Sequence, residues 1–357
     1  MTPPWSPLPD APEFPADGYA PLADAIGRLL GTRNDVLLIQ GEAVVALEAV
    51  ATSLGRPGVR ALNVVTSLYG RWFGGWLRRA GAEVVDVGGA PGLPVAVEAV
   101  AAALGAERFD IVALVHAESA TGILNPLPEI AALARAHGAL SVADAVASVG
   151  GHALEVDALG VDVAVLGAQK ALGGQAGVSA VSVSPAAWAR VAAAGEAPSI
   201  LSLADQRALW LDAGRGALPG TPSALEFHAL AATLARVEAE GLPALQARHA
   251  RAGAAARAGA LALTGRAWVP EAAASNLVTA AVLPEGVDAA AVLAAAGPGA
   301  LSAGVGPAGE RLIRLNHTGA RARLDVVLGD LAALGRALGA LGVRVDVGAA
   351  LAAAEAA

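Results

Sequence analysis

The sequence predicts an α/β fold with a mostly parallel sheet, followed by a smaller α+β unit at the C-terminus. Three observations predict it. From residue 35 onward short β-rich runs alternate with longer helical patterns, as parallel strands joined by crossover helices do. The chain has 357 residues, 55% of them hydrophobic, enough for a sizeable core and a second unit. Beyond residue 220 the pattern changes to long helical stretches with few strands.

The elements follow in order. Residues 36–40 read as a strand and 42–54 as its helix, then 61–66 and 69–79, then 111–116 and 127–137, then a strand over 140–144. A strand-like run over 163–166 leads to a Gly-rich turn at 173–177. After residue 222 a helical stretch runs to about residue 264. A strand over 275–282, a helix over 288–295, a strand over 311–316 and a helix over 324–341 come next. The Ala-rich tail from residue 348 reads as a helix end or a frayed segment. The expected divisions are an N-terminal segment (1–19), a large α/β domain (20–240) and a small α+β domain (241–357).

Composition removes several function classes. A net charge of −8 without a long basic run argues against nucleic acid as the partner. No window has the length and apolarity of a membrane span, and no basic cluster precedes an apolar run as in a secretory signal, so a cytoplasmic setting is expected. The absence of cysteine excludes disulfides, thiolate metal sites and a cysteine nucleophile on this chain, and no metal is expected. Small molecules remain as partners.

Parallel sheets bind ligands beyond the carboxyl ends of their strands. Lys170, the single lysine in the chain, falls there. An amine desolvated beside such a crevice can attack a carbonyl and form an imine. Asp144 ends another strand. A carboxylate there either caps a helix or holds a proton on a pyridine nitrogen, as a carbanion-stabilising cofactor requires. A nucleotide-binding reading lacks its Gly-x-Gly-x-x-Gly after the first strand.

Three runs in order, HAESATGILNPL at 116–127, VADAVASVGG at 142–151 and LGAQKALG at 166–173, resemble the class V aminotransferases, especially the alanine-glyoxylate and serine-pyruvate branch. The resemblance spans roughly residues 20–340, with further matches at Gly220-Thr-Pro and Arg314-Leu-Asn-His-Thr-Gly. It implies fold type I of the pyridoxal 5′-phosphate enzymes, a homodimer, and amino transfer from an amino acid to a small 2-oxo acid such as pyruvate or glyoxylate. Lys170 is then the Schiff-base lysine and proton carrier, and Asp144 the partner of the pyridine nitrogen. Val146 packs one face of the ring, Tyr69 stacks on the other, and Ser119 lies near the phenolic oxygen. Ala43, Val44 and Gln169 line the phosphate end, Thr221 reaches the neighbouring subunit's cofactor, and Arg314 clamps the substrate carboxylate, a task suited to a planar guanidinium.

One departure redirects the expectation. Where the family usually has a small-residue phosphate turn at a helix N-terminus, this chain has Glu42, and Leu218 replaces a usual polar phosphate ligand. A carboxylate about 4 Å from a dianionic phosphate repels it by up to about 8 kcal/mol at an effective dielectric of about 20. A relative in this branch, pyridoxamine-pyruvate aminotransferase, takes the unphosphorylated vitamer as substrate and resembles this chain in having glutamate at that turn. Glu42 therefore reads either as acceptor for the 5′-hydroxyl of pyridoxamine or as a plain helix cap beside ordinary pyridoxal phosphate. A lyase on the same cofactor and a non-catalytic vitamer-binding protein are the other readings. A cysteine desulfurase is excluded.

Overall fold

Seven strands make the central sheet: β1 (Asp35–Gln40), β2 (Arg60–Val65), β3 (Glu83–Gly88), β4 (Ile111–Val115), β5 (Leu140–Asp144), β6 (Val163–Gly167) and β7 (Val178–Val183). In this computed structural model, which describes residues 12–357 except 194, 300, 307 and 308, they lie in the order β1-β7-β6-β5-β4-β2-β3. Residues 1–11 of the Pro-rich N-terminal segment fall outside the described part. Only β7 runs against its neighbours, antiparallel to both β1 and β6. Strands β4, β6 and β7 are buried throughout, as expected where helices cover both faces. The first five helices are α1 (Tyr19–Leu29), α2 (Ala43–Leu54), α3 (Leu68–Arg79), α4 (Val97–Ala106) and α5 (Leu127–Ala136).

This topology gathers the polar residues. Val115 and Asp144, the last residues of β4 and β5, are register partners, so whatever follows them lies on one sheet edge. Because β7 returns antiparallel, the turn between β6 and β7 stays on that edge and keeps Lys170 over it. Gly173 closes the turn by donating its N–H to the Lys170 carbonyl at 2.9 Å, in a left-handed conformation (φ +70°) suited to glycine.

The C-terminal part holds an antiparallel sheet ordered β8 (Val278–Val282), β10 (Leu312–Asn316), β9 (Leu301–Ala303). The helix Leu242–Thr264 packs against it, and the helix Leu324–Ala340 packs on that helix in turn. One cluster of buried side chains fills the large sheet and its helices, and a second fills this part. A third, small cluster joins them: Leu277 packs on Ala117, Ala147 and Ala171, all beside the strand ends.

Several elements differ from expectation. Strand β3 and helix α4 were not anticipated. β3 is an edge strand with no buried residue, and its three valines are interrupted by Asp86, so they form no continuous apolar run. β7 was also unmarked, since Ser179 and Ser182 interrupt its apolar residues on both faces although the whole strand is buried. The helical stretch after residue 222 breaks at Gly241 (φ +82°). The Ala-rich tail forms a defined helix, Val347–Ala356, capped by Asp346 through the Ala349 N–H and packed on Leu242–Thr264.

Candidate functional site

A cavity of about 240 Å3 opens over the sheet edge, lined by Glu42, Ala43, Val44, Tyr69, Ser119, Asp144, Val146 and Lys170, with Trp72 and Ala147. These residues come from α2, α3 and the segments after β4, β5 and β6. A larger cavity of about 600 Å3, against Arg257, Trp268 and Thr279, contains neither Lys170 nor a strand-end carboxylate. The chemistry belongs to the smaller one.

Asp144 does not cap a helix. Its Oδ1 accepts from the Val146 N–H at 3.0 Å, a local turn that presses Val146 into the cavity wall. Burial pushes the Asp144 carboxyl up to about 6; the Val146 N–H and the Lys170 ammonium pull it down, and Glu42 raises it. Buried and set against one fixed cation, it suits a partner that brings a second positive charge.

Glu42 is the N-cap of α2. Its Oε2 accepts from the Val44 N–H at 2.8 Å, and its Oε1 accepts from the Gln169 amide at 2.6 Å. The open N–H that would meet an anion is thus satisfied by the protein's own carboxylate. Gln169 lies behind Glu42 and reaches the cavity through it. At Gly167 a Cβ would come within 2.3 Å of Gln169 Oε1 and 3.1 Å of Ala43, so the end of β6 and the start of α2 meet this closely only at a glycine.

Tyr69 enters at the first turn of α3, whose N-cap Ser67 accepts the Tyr69 N–H at 3.1 Å. A Cβ at Gly70 would lie 2.6 Å from the Val64 carbonyl, which explains how the helix can begin against β2. Trp72 stands edge-on to Tyr69, with centroids 5.5 Å apart. Arg314, on β10, reaches over from the small part: its Nε donates to the Ala303 carbonyl at 2.9 Å and its Nη1 to the Ser119 carbonyl at 3.1 Å. Burial lowers its pKa and the neighbouring Tyr69 raises it. Each terminal guanidinium nitrogen carries two hydrogens, so the fork keeps donors for an anion. Thr221 lies exposed on a loop and does not line this chain's cavity.

The structure also brings in residues that sequence reasoning passed over. Glu118, fully buried, accepts from Thr66 Oγ1 at 2.7 Å and from Ser67 Oγ. The signal was a carboxylate three residues beyond a fully buried strand; its partners lie some fifty positions away. Trp72 sits one helical turn after Tyr69, a spacing that placed it on the same face.

The residues present fit a pyridine aldehyde or amine: an amine, an acid for the ring nitrogen, an aliphatic and an aromatic wall. They fit its phosphate ester poorly, because Val44 N–H and Gln169 are bound to Glu42. Such a vitamer supplies an electron sink for carbanions.

The family model described as "Aminotransferase class-V" matches residues 17–302. Pyridoxamine-pyruvate transaminase of Mesorhizobium japonicum is 33% identical over 337 residues, covering 92% of this chain and 85% of that protein. The crystal structure of pyridoxamine-pyruvate aminotransferase from Mesorhizobium loti superposes with TM-score 0.89 at 33% identity over 96% of this chain and 88% of that one. Ureidoglycine-glyoxylate aminotransferase from Bacillus subtilis gives 0.85 at 25% identity, covering 97% and 92%. The fold, the ordered runs around Asp144 and Lys170, and these similarities lead to one conclusion: the chain belongs to the class V aminotransferase family.

Proposed function

We propose that this aminotransferase moves the amino group of unphosphorylated pyridoxamine to pyruvate, giving pyridoxal and L-alanine. The observation that carries the proposal is Glu42, whose carboxylate occupies the N-terminus of α2, held there by the Val44 N–H and Gln169. Each oxygen accepts one bond and keeps a lone pair for a donor hydrogen. A 5′-hydroxyl satisfies that geometry, whereas a dianionic phosphate is repelled. The 33% identity, in sequence and in structure comparison alike, to pyridoxamine-pyruvate aminotransferase of Mesorhizobium supports the same reading.

Each residue then has a task. Lys170 carries the proton between C4′ of the vitamer and the α-carbon of the amino acid. Asp144 keeps the pyridine nitrogen charged. Val146 and Tyr69 hold the ring from its two faces, Ser119 lies by the phenolic oxygen, Ala43 and Val44 line the 5′ end, and Arg314 binds the pyruvate carboxylate. The reading extends to a homodimer in which Thr221, exposed on its own subunit, reaches the partner's site.

Purified protein offered pyridoxamine or pyridoxamine phosphate as donor to pyruvate tests this. We expect kcat/KM at least about a hundredfold higher for pyridoxamine, the equivalent of a few kcal/mol of repulsion. Equal or better use of the phosphorylated donor would remove the assignment of Glu42 and restore pyridoxal phosphate as the cofactor.

A further inference from the structure

A carboxylate with no exposed surface sits one residue before the cavity wall. Glu118 is 0% exposed, and a charged group persists in such a place only where donors replace its water. Thr66 Oγ1 supplies one at 2.7 Å and Ser67 Oγ the other. The polarity of both bonds is fixed. Thr66 Oγ1 already accepts from Asn125 Nδ2 at 2.7 Å, and the Asn125 amide is itself oriented by the Val95 N–H on Oδ1 and the Val115 carbonyl on Nδ2. Ser67 Oγ accepts from the Tyr69 N–H. Each hydroxyl gives a lone pair to an amide N–H, and an ionised carboxylate only accepts, so in that state the single hydrogen of each hydroxyl is turned toward Glu118. Burial raises the carboxyl to about 7 and the two hydroxyls pull it down; once ionised, both of its oxygens accept and neither donates.

The network touches both sides of the cavity. Ser67 caps α3, so holding its hydroxyl fixes the turn that carries Tyr69. On the other side the Glu118 main chain closes a tight turn, its N–H to the Ile123 carbonyl at 2.8 Å and its carbonyl from the Gly122 N–H at 2.8 Å. The next residue, Ser119, presents the carbonyl that receives Arg314 Nη1.

We propose that Glu118 is a positioning residue for transamination: its buried carboxylate ties the Ser67-capped start of α3, which carries Tyr69, to the turn whose Ser119 carbonyl aims Arg314. It thereby sets the distance between Tyr69 in the cavity wall and Arg314, which bonds the lining residue Ser119 from outside that wall. The inference rests on the assignment of Tyr69 to the ring and Arg314 to the substrate carboxylate, and is independent of whether the vitamer is phosphorylated. In Glu118→Gln an amide NH2 faces a hydroxyl hydrogen, so one hydroxyl has to rotate and its buried hydrogen loses its acceptor, which disturbs the geometry held by Asn125 or the Tyr69 N–H.

Steady-state kinetics of Glu118→Gln, with whichever vitamer the unmodified enzyme uses better, is the test. KM should rise roughly tenfold for both the vitamer and pyruvate, the scale of one lost buried hydrogen bond, with kcat within about threefold. Arg314→Lys should raise KM for pyruvate alone. Thr66→Val, which keeps the volume and loses the hydroxyl, should repeat the double rise more weakly, and it reports in place of Glu118→Gln if that variant does not fold. Both KM values within twofold of the unmodified enzyme, or a rise for one substrate only, would overturn the proposal, even with a lowered melting temperature.

Discussion

At Glu42 one side chain has two duties under our proposal, the helix cap that the structure shows and vitamer selectivity. The carboxylate closes the α2 N-terminus through the Val44 N–H and is pinned by Gln169; it lines the cavity, where, on the proposed reading, it meets the 5′ end of the vitamer. Glu42→Ala separates the duties. Loss of the cap should cost about 1 kcal/mol of stability, seen as a few degrees in a thermal melt. The ratio of kcat/KM for pyridoxamine over pyridoxamine phosphate should fall by roughly tenfold or more, because the repulsion disappears and the Val44 N–H is freed. An unchanged ratio would reduce Glu42 to a cap. Lys170, Asp144 and Glu42 were legible in the sequence because each breaks a local pattern: the single lysine, an acid ending an apolar strand, a charge in a turn of small residues. Glu118 was not, since its meaning comes from Thr66 and Ser67, which only the sheet brings alongside.

Between elements, buried neutral imidazoles gather near where the two parts of the chain meet, and one of them, His152, bonds across the junction. His249, on the helix Leu242–Thr264, pairs with the Leu245 carbonyl through Nδ1 at 2.8 Å and accepts the Gly319 N–H on Nε2 at 3.0 Å. His317, just after β10, pairs with the Asn276 carbonyl through Nδ1 at 3.0 Å and with Thr279 through Nε2 at 2.9 Å. His152 accepts the Asn276 N–H at 3.1 Å. Burial holds His116 and His317 down to about 3 and His152 to about 4, and it lowers His249. Unfolding returns each to about 6.5, so the unfolded chain takes up more protons, and stability from these groups declines as pH falls from about 6.5 toward 4. Glu118 and Asp144 act in the opposite sense: burial raises them to about 7 and about 6, so the folded chain holds their protons first. The imidazoles outnumber the carboxyls, and the net loss should be about 2 kcal/mol per pH unit. Calorimetric melts from pH 6.5 to 5 should show a falling midpoint; a flat or rising midpoint would mean that these histidines are protonated in the folded chain. None of this junction could be read from isolated histidines. The alternation of strands and helices could be, and it failed where burial was atypical: at the exposed edge strand β3 and the doubly buried β7.

For the molecule as a whole, a mostly parallel sheet sets one edge of strand ends, and a second, smaller core delivers Arg314 to it. The ordered runs at 116–127, 142–151 and 166–173 made the family legible before any coordinates, because three spaced motifs are far more specific than one. How the small part closes over the edge was not legible, since it depends on Leu277, Arg314 and the histidines meeting residues more than a hundred positions away. Among the described residues no helix is long and apolar enough to cross a membrane. The central claim is that Lys170 is the amine that condenses with the vitamer aldehyde above Asp144. Incubating the protein with pyridoxal, reducing with borohydride and mapping the adduct by mass spectrometry measures it directly. Our account predicts the reduced vitamer on the peptide containing Lys170 and none retained by Lys170→Ala; vitamer trapped equally in that variant, or on another peptide, would contradict it.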